Sequence, residues 1–305
     1  MTKKRSPYRG RFAPSPTGPL HFGSLVAAVG SYIEARHRGG EWLVRMEDLD
    51  PPREVPGADK LILDTLEHYG FEWDGEVIYQ SHRGDYYLDA LDHLQRRGLL
   101  YRCDCSRKEI AERGEQLGLA IGVYPGTCRT RQTKTHQQHA LRLLIEGEQV
   151  EFRDAIQGTI KQNLAEEVGD FVLRRADGLF AYQLAVVVDD AEQGITEVVR
   201  GSDLLGSTPR QILLQHYLGY PTPDYRHLPI AVNAEGLKLS KQTFAPALEM
   251  GNPLLSLYQA LQFLGQQPPE MLLEGELNSF WQWSLSHWQS EAVPHKLVIP
   301  VDTPQ

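Results

Sequence analysis

The sequence is short of cysteine, of long apolar runs and of positive charge. Only three cysteines occur among 305 residues, and an odd, small number argues against a disulfide framework of the secreted kind. No stretch approaches the length of a membrane-spanning helix, so no membrane partner is expected. The opening MTKKRSPYRG is basic but leads into no apolar segment, so it does not read as a secretory signal. The cytoplasm is the expected compartment. A net charge of −9 argues against broad, non-specific nucleic-acid binding, though a local basic surface can still grip one RNA. Internal repeats and low-complexity segments are lacking too. With 41 % hydrophobic and 23 % charged residues, the chain has the balance of a globular protein. Its length allows one large or two modest domains.

The cysteines are crowded. Cys103, Cys105 and Cys128 all lie in YRCDCSRKEIAERGEQLGLAIGVYPGTCR. Scattered core cysteines would not concentrate in this way, so a metal site is expected, and zinc takes thiolates readily in sets of four ligands. Spacing alone leaves the fourth ligand open among Tyr124, His136, His139 and Asp104. Such a closed site would be structural, stapling a loop-rich insertion with little apolar material of its own.

A second unusual stretch is RFAPSPTGPLHFGSL, from Arg11 to Leu25. Pro14, Pro16 and Pro19 cannot sit inside a regular helix, while Gly18 and Gly23 let backbone approach another group closely. Residues 8–14 read as a strand entering this loop. From Phe22 the spacing of Leu25, Val29, Tyr32 and Ile33 predicts a helix, which Gly39 and Gly40 stop. Trp42, Val44 and Met46 alternate as in a strand. The first fifty residues therefore predict a βαβ unit whose first turn suits phosphate. Further helices are predicted from about Gly57 to Tyr69, over Asp85–Arg97, and in STPRQILLQHYLGY. ITEVVRG predicts a strand, and AYQLAVVVDD a buried parallel one; its two terminal acids, Asp189 and Asp190, are read as caps of the following turn, with contact to a ribose or a metal as the alternative. After about residue 245, leucines, glutamines and Trp281, Trp283 and Trp288 suggest a small helical domain with an aromatic core.

A lysine-rich loop, GLKLSKQ at 236–242, suits folding over a polyphosphate, with lysine as a mobile point charge. In this order and on this frame, the segments resemble a known family. RFAPSPTGPLHFGSL resembles the HIGH signature of class I aminoacyl-tRNA synthetases in their glutamyl form, and Lys238 to Gln242 the KMSKS signature. RMEDLDPPR, DGLFAYQLAVVVDD and VVRGSDLLGSTPRQ resemble further catalytic-domain motifs of that family, in the expected order over roughly 8–250. Ser24 replaces the second histidine of the first signature, and Gln242 the last serine of the second. The chain ends at Gln305, soon after the lysine loop, and it carries the CDC…YPGTC cluster. That combination resembles the truncated glutamyl-Q tRNA(Asp) synthetase family.

The resemblance implies an α/β class I Rossmann-like catalytic domain in two halves, 1–100 and 166–245, with a zinc-binding insertion at 101–165 and a small helical C-terminal domain at 246–305. It implies ATP-dependent, tRNA-independent activation of glutamate and transfer to the queuosine base of tRNA(Asp). Arg11, Ala13, Ser15, Glu47, Tyr182 and Arg200 would bind glutamate, the arginines because a planar fork matches a carboxylate and Glu47 because it opposes the ammonium. His21, Gly23, Lys238, Ser240 and Lys241 would bind ATP, with Mg²⁺, and His21 and Lys241 would be catalytic. Structural zinc would sit on Cys103, Cys105, Tyr124 and Cys128. Tyr79, His82 and Arg83 are candidate RNA contacts, and a monomer is expected. Two rival functions are a minimal glutamyl-tRNA synthetase charging the tRNA 3′ end and a non-catalytic glutamate-binding paralogue.

Overall fold

The structure, a computed structural model, describes residues 7–130, 138–233, 235–239 and 246–301. Its first unit is the βαβ unit predicted from the sequence: β1 (Arg9–Phe12), α1 (Phe22–His37) and β2 (Glu41–Met46). β1 and β2 run parallel, with Arg11 opposite Leu43. Gly39, at φ 64°, ends α1 in the left-handed conformation that favours glycine. Gly30 lets α1 lie against the sheet, since a Cβ there would stand 2.6 Å from a Leu228 methyl. After α2 (Ala58–His68), β3 (Ile78–Tyr79) adds to β2, again parallel.

The middle of the chain is mixed. α3 (Gly84–Arg96) leads to β4 (Leu100–Cys103), α4 (Arg107–Gln116) and β5 (Ala140–Leu143). The hairpin β6 (Gln149–Asp154) and β7 (Gly158–Asn163) follows, then α5 (Leu164–Glu167) and β8 (Val172–Arg174). β4, β5 and β8 form an antiparallel sheet that carries the cysteine segment.

Next come α6 (Tyr182–Glu192), β9 (Glu197–Gly201), α7 (Thr208–Leu218) and β10 (Asp224–Leu228), and β10 joins β6 and β9 in one sheet. That sheet has the order β7-β6-β10-β9. β1 abuts the β9 edge: Thr196 N–H donates to Arg9 O at 2.9 Å, and Arg9 N–H donates to Thr196 Oγ1 at 2.9 Å. The starts of β1 and β9 are thus held together, and Phe12, Ala13, Arg200 and Gly201 from their C-terminal ends line one cleft, the position at which open α/β sheets bind ligands.

One sequence expectation is corrected here. AYQLAVVVDD is helix α6 and not a strand, and Leu184 to Asp190 are all buried. A helix that is apolar on every face gives the same near-continuous pattern as a buried strand. Three successive valines tipped the reading towards β.

Two apolar cores flank the sheet junction. One joins α1, α2 and β2 to the C-terminal segment α8 (Leu254–Phe263) and α9 (Leu277–His287). There Tyr32 meets Trp42 and Trp281 edge-on, at centroid distances of 5.0 and 4.9 Å. Trp281 and Trp288 are buried, and their indole N–H groups donate to Tyr69 O and Glu34 Oε1, both at 3.0 Å. Trp283 is half-buried and stacks on His287. A last strand, β12 (Val298–Pro300), pairs with β11 (Ile230–Val232). The other core packs α3, α6 and α7 together.

Candidate active site

A cleft of about 650 Å³ opens over the sheet junction. Arg11, Ala13, Ser15, His21, Gly23, Glu47, Tyr182, Arg200 and Lys238 all line it. Every proposed glutamate and ATP residue within the described segments is therefore in one place. Ser240 and Lys241 lie outside the described residues.

The loop after β1 delivers its groups through α1. His21 is the N-cap: its Nδ1 accepts from Ser24 N–H at 3.3 Å, while Ser24 Oγ accepts from His21 N–H at 3.0 Å. This reciprocal box fixes an unprotonated Nδ1 and leaves Nε2 as the ring's N–H. Ser24, where the signature has its second histidine, thus orients the first one. The N-terminus of α1 faces the cleft, as an anion-binding helix end should.

Beneath the loop lies a buried charge network. Asp190, from the last turn of α6, accepts from Arg11 Nε at 3.0 Å and Nη2 at 3.3 Å, and from Arg45 Nη2 at 2.8 Å. Burial would raise its carboxyl, but Arg11 and Arg45 outweigh that and hold it below the usual carboxylate range. Asp189 accepts from Gln80 Nε2 at 2.8 Å, Arg83 Nε at 2.5 Å and Tyr87 Oη at 2.8 Å. These acids therefore anchor arginines across the fold and do not cap a turn, as the sequence reading had them. Arg83 turns its guanidinium inward to Asp189, and Tyr79 donates to Asp59 at 3.1 Å. Glu47 stands 3.6 Å from Arg45. Desolvation pushes its carboxyl up to about 7, although Arg45 and Arg11 pull the other way.

Arg200 differs from Arg11 and Arg45. Its partners among the described residues are neutral: Tyr182 Oη at 3.3 Å, Thr208 Oγ1 at 2.8 Å, Gln211 Oε1 at 2.7 Å and His227 Nε2 at 3.1 Å. A 5 % exposed guanidinium held only by neutral groups is pre-set for an anionic ligand. Lys238 pairs with Asp203 at 2.5 Å on the cleft rim.

Sequence reasoning passed over Arg45, Asp154 and His227. Arg45 interrupts the mostly apolar strand β2, and that interruption was the available signal; Asp154 and His227 lie in the largely polar strands β6 (QVEFRD) and β10 (DYRHL), where nothing local marks them.

The three thiols converge as expected. Their sulfur atoms all lie within 4.8 Å of one another, with Cys105 and Cys128 at 3.3 Å. The Tyr124 hydroxyl stands 3.4 Å from Cys103 Sγ and 4.0 Å from Cys105 Sγ, and accepts from Cys128 N–H at 3.0 Å. Four ligands at tetrahedral zinc bond lengths would sit roughly 3.5–4 Å apart, so the donor set fits a metal ion. Arg142 lies over the Tyr124 ring at 3.8 Å, while burial and the Cys103 and Cys128 thiols push the Tyr124 hydroxyl's ionisation up. Among the described residues His139 is not part of the cluster; His136 lies outside them. If the metal is zinc, purified protein carries about one ion per chain. Chelation is then expected to turn three shielded thiols into three that react rapidly with a thiol reagent. Metal-free protein whose thiols react at the same rate before and after chelation would contradict this.

Comparison with known proteins identifies the family. Residues 8–270 match the model of the catalytic domain of class I tRNA synthetases (E and Q). The glutamyl-Q tRNA(Asp) synthetase of Dechloromonas aromatica (strain RCB) is 59 % identical over 96 % of this chain and 98 % of its own. That of Chromobacterium violaceum is 55 % identical over 94 % and 95 %. Among solved structures, the glutamate-tRNA synthetase of Elizabethkingia anophelis is 26 % identical, with a TM-score of 0.79 over 95 % of this chain and 67 % of that one. With the cleft at the junction of β1 and β9, and its arginines and carboxylates gathered there, the chain belongs to the class I glutamyl and glutaminyl tRNA synthetases, in the branch of the glutamyl-Q tRNA(Asp) synthetases.

Proposed function

We propose that the cleft activates glutamate with ATP and transfers the glutamyl group to the queuosine base of tRNA(Asp). The observation that carries the first step is the placement of Arg200, Tyr182 and Glu47 in the same cleft as the His21-capped end of α1. The acceptor is argued from relatives of nearly the same length that bear that name.

In this reading Arg200 and Tyr182 take one carboxylate of glutamate, with Arg11, Ser15 and the backbone at Ala13 completing the pocket. Glu47 takes the ammonium. The α-carboxylate then attacks the α-phosphorus of ATP, the bond to the β-phosphate oxygen breaks, and pyrophosphate leaves. His21, the α1 N-terminus and the space beside Gly23 receive the nucleotide phosphates. Lys238, Ser240 and Lys241 neutralise the departing charge. Mg²⁺ accompanying ATP shields the phosphate oxygens. A queuosine hydroxyl finally attacks the activated carbonyl, and AMP leaves. Catalysis rests on positioning and charge stabilisation. Cys103, Cys105 and Cys128, with Tyr124, would hold a zinc ion that ties the insertion together.

The test is glutamate-dependent ATP–pyrophosphate exchange without tRNA, followed against pH. Glu47 must be anionic to hold an ammonium, and its carboxyl ionises at about 7 in the free site. The value of kcat/KM for glutamate is therefore expected to rise with pH through about 7 and level off above it. In Glu47→Gln that limb disappears. A wild-type profile flat from pH 6 to 8 would contradict the assignment of Glu47.

A further inference from the structure

Behind Arg200 lies a polar chain that the proposed reaction does not itself use. Asp154, at the end of β6, and His227, in β10, are both buried. Asp154 Oδ2 faces His227 Nδ1 at 2.6 Å, and His227 Nε2 faces Arg200 Nε at 3.1 Å. A carboxylate only accepts and a guanidinium only donates. The imidazole between them is therefore the neutral tautomer with its proton on Nδ1 and its lone pair on Nε2. Desolvation and the Arg200 charge lower the His227 pKa in spite of Asp154, in keeping with a neutral ring. The carboxylate is fixed in turn. Its Oδ1 accepts from the backbone N–H of Ile156 at 2.9 Å and Gln157 at 2.8 Å, and the His227 N–H is shared between Oδ1 at 3.2 Å and Oδ2 at 3.1 Å.

We infer that Asp154 and His227 are positioning residues that aim the Arg200 guanidinium at the substrate carboxylate. The inference rests on the reading of Arg200 as a glutamate ligand. Arg200 is bound along its inner side by His227, Thr208 and Gln211, so Nη1 is turned towards Tyr182 and the cleft. The pattern resembles a second carboxylate–imidazole pair acting on a ligand through orientation, where the wrong tautomer is as damaging as a lost residue.

The decisive variant is Asp154→Asn. Two backbone donors, Ile156 and Gln157 N–H, keep the amide oxygen at the Oδ1 position, so the amide nitrogen faces His227 Nδ1. The ring must then carry its proton on Nε2, and an N–H opposes the Arg200 N–H. The KM for glutamate in exchange is expected to rise on the order of tenfold or more, the cost of one mispaired buried hydrogen bond, while the KM for ATP stays put. A folded Asp154→Asn protein, with the melting behaviour of wild type and an unchanged glutamate KM, would overturn the inference. Should Asp154→Asn fail to fold, His227→Gln and His227→Asn decide. Glutamine reaches Arg200 with an acceptor; asparagine is too short to do so and instead keeps a donor for Asp154. The glutamate KM of His227→Asn is expected to exceed that of His227→Gln several-fold, and equal values would overturn the inference. Arg200→Ala separates the two levels. Its glutamate KM rises if the underlying reading holds, and an unchanged KM there would remove Arg200 from the site altogether.

Discussion

Asp190→Ala is expected to destabilise the fold by roughly 3–5 kcal/mol, the usual cost of leaving buried charges without their partner. Arg11 is 3 % exposed and Arg45 fully buried, and both depend on this one carboxylate for their shortest ionic contacts. Asp189 does not replace it, since it lies 3.9 Å from Arg45 Nε and is already occupied by Gln80, Arg83 and Tyr87. Domains are stable by about 5–15 kcal/mol, so the loss is a large share of the total. Urea unfolding reads it as a fall in the midpoint, and glutamate activation falls with it because Arg11 lines the cleft. The pH dependence has a definite sign. The Asp190 carboxyl is held below its usual range, so its contribution is full at neutral pH and fades only as pH drops below about 4. A variant that unfolds at the wild-type midpoint would show that the two arginines have other support.

Lys241→Ala is expected to lower glutamate-dependent pyrophosphate exchange roughly 10²–10³-fold, the range for removing one preorganised charge-stabilising donor from a transition state. Lys241 lies outside the described residues, but the chain on both sides of it is fixed at the cleft. Leu239 N–H donates to Ala231 O and Leu248 N–H to Leu20 O, each at 2.9 Å, and Ala247 bridges His21. The lysine therefore stands two residues after a cleft-lining leucine and six before the partner of His21. Lys238→Ala is expected to cost less, because Lys238 pairs with Asp203. Exchange at the wild-type rate in Lys241→Ala would take that lysine out of the chemistry.

What could be read from the sequence follows a physical line. The βαβ start was legible because Leu25, Val29 and Ile33 repeat at helical spacing and Trp42, Val44 and Met46 alternate. The cysteine cluster was legible because three thiols crowd a short segment. Arg11, Glu47 and Arg200 were legible through their motifs, and the cleft gathers them. The support beneath them was not. Arg45 reads as one polar position in a strand, yet it meets Asp190 from 145 residues away. Asp154 and His227 meet across 73 residues. Local periodicity carries no information about such pairs, and α6 was misread because a helix buried all round from Leu184 to Asp190 shows no polar stripe there. Ser24 could be read only as a departure from a signature; the structure gives it a place in the cap of α1.

The most direct test of the central claim uses labelled glutamate, ATP and Mg²⁺ with two tRNA pools, one containing queuosine and one lacking it. The account predicts that label enters only the queuosine pool and survives periodate blocking of the 3′ end. Label entering both pools, and lost on 3′ blocking, would contradict it and make this a small enzyme of conventional 3′ charging.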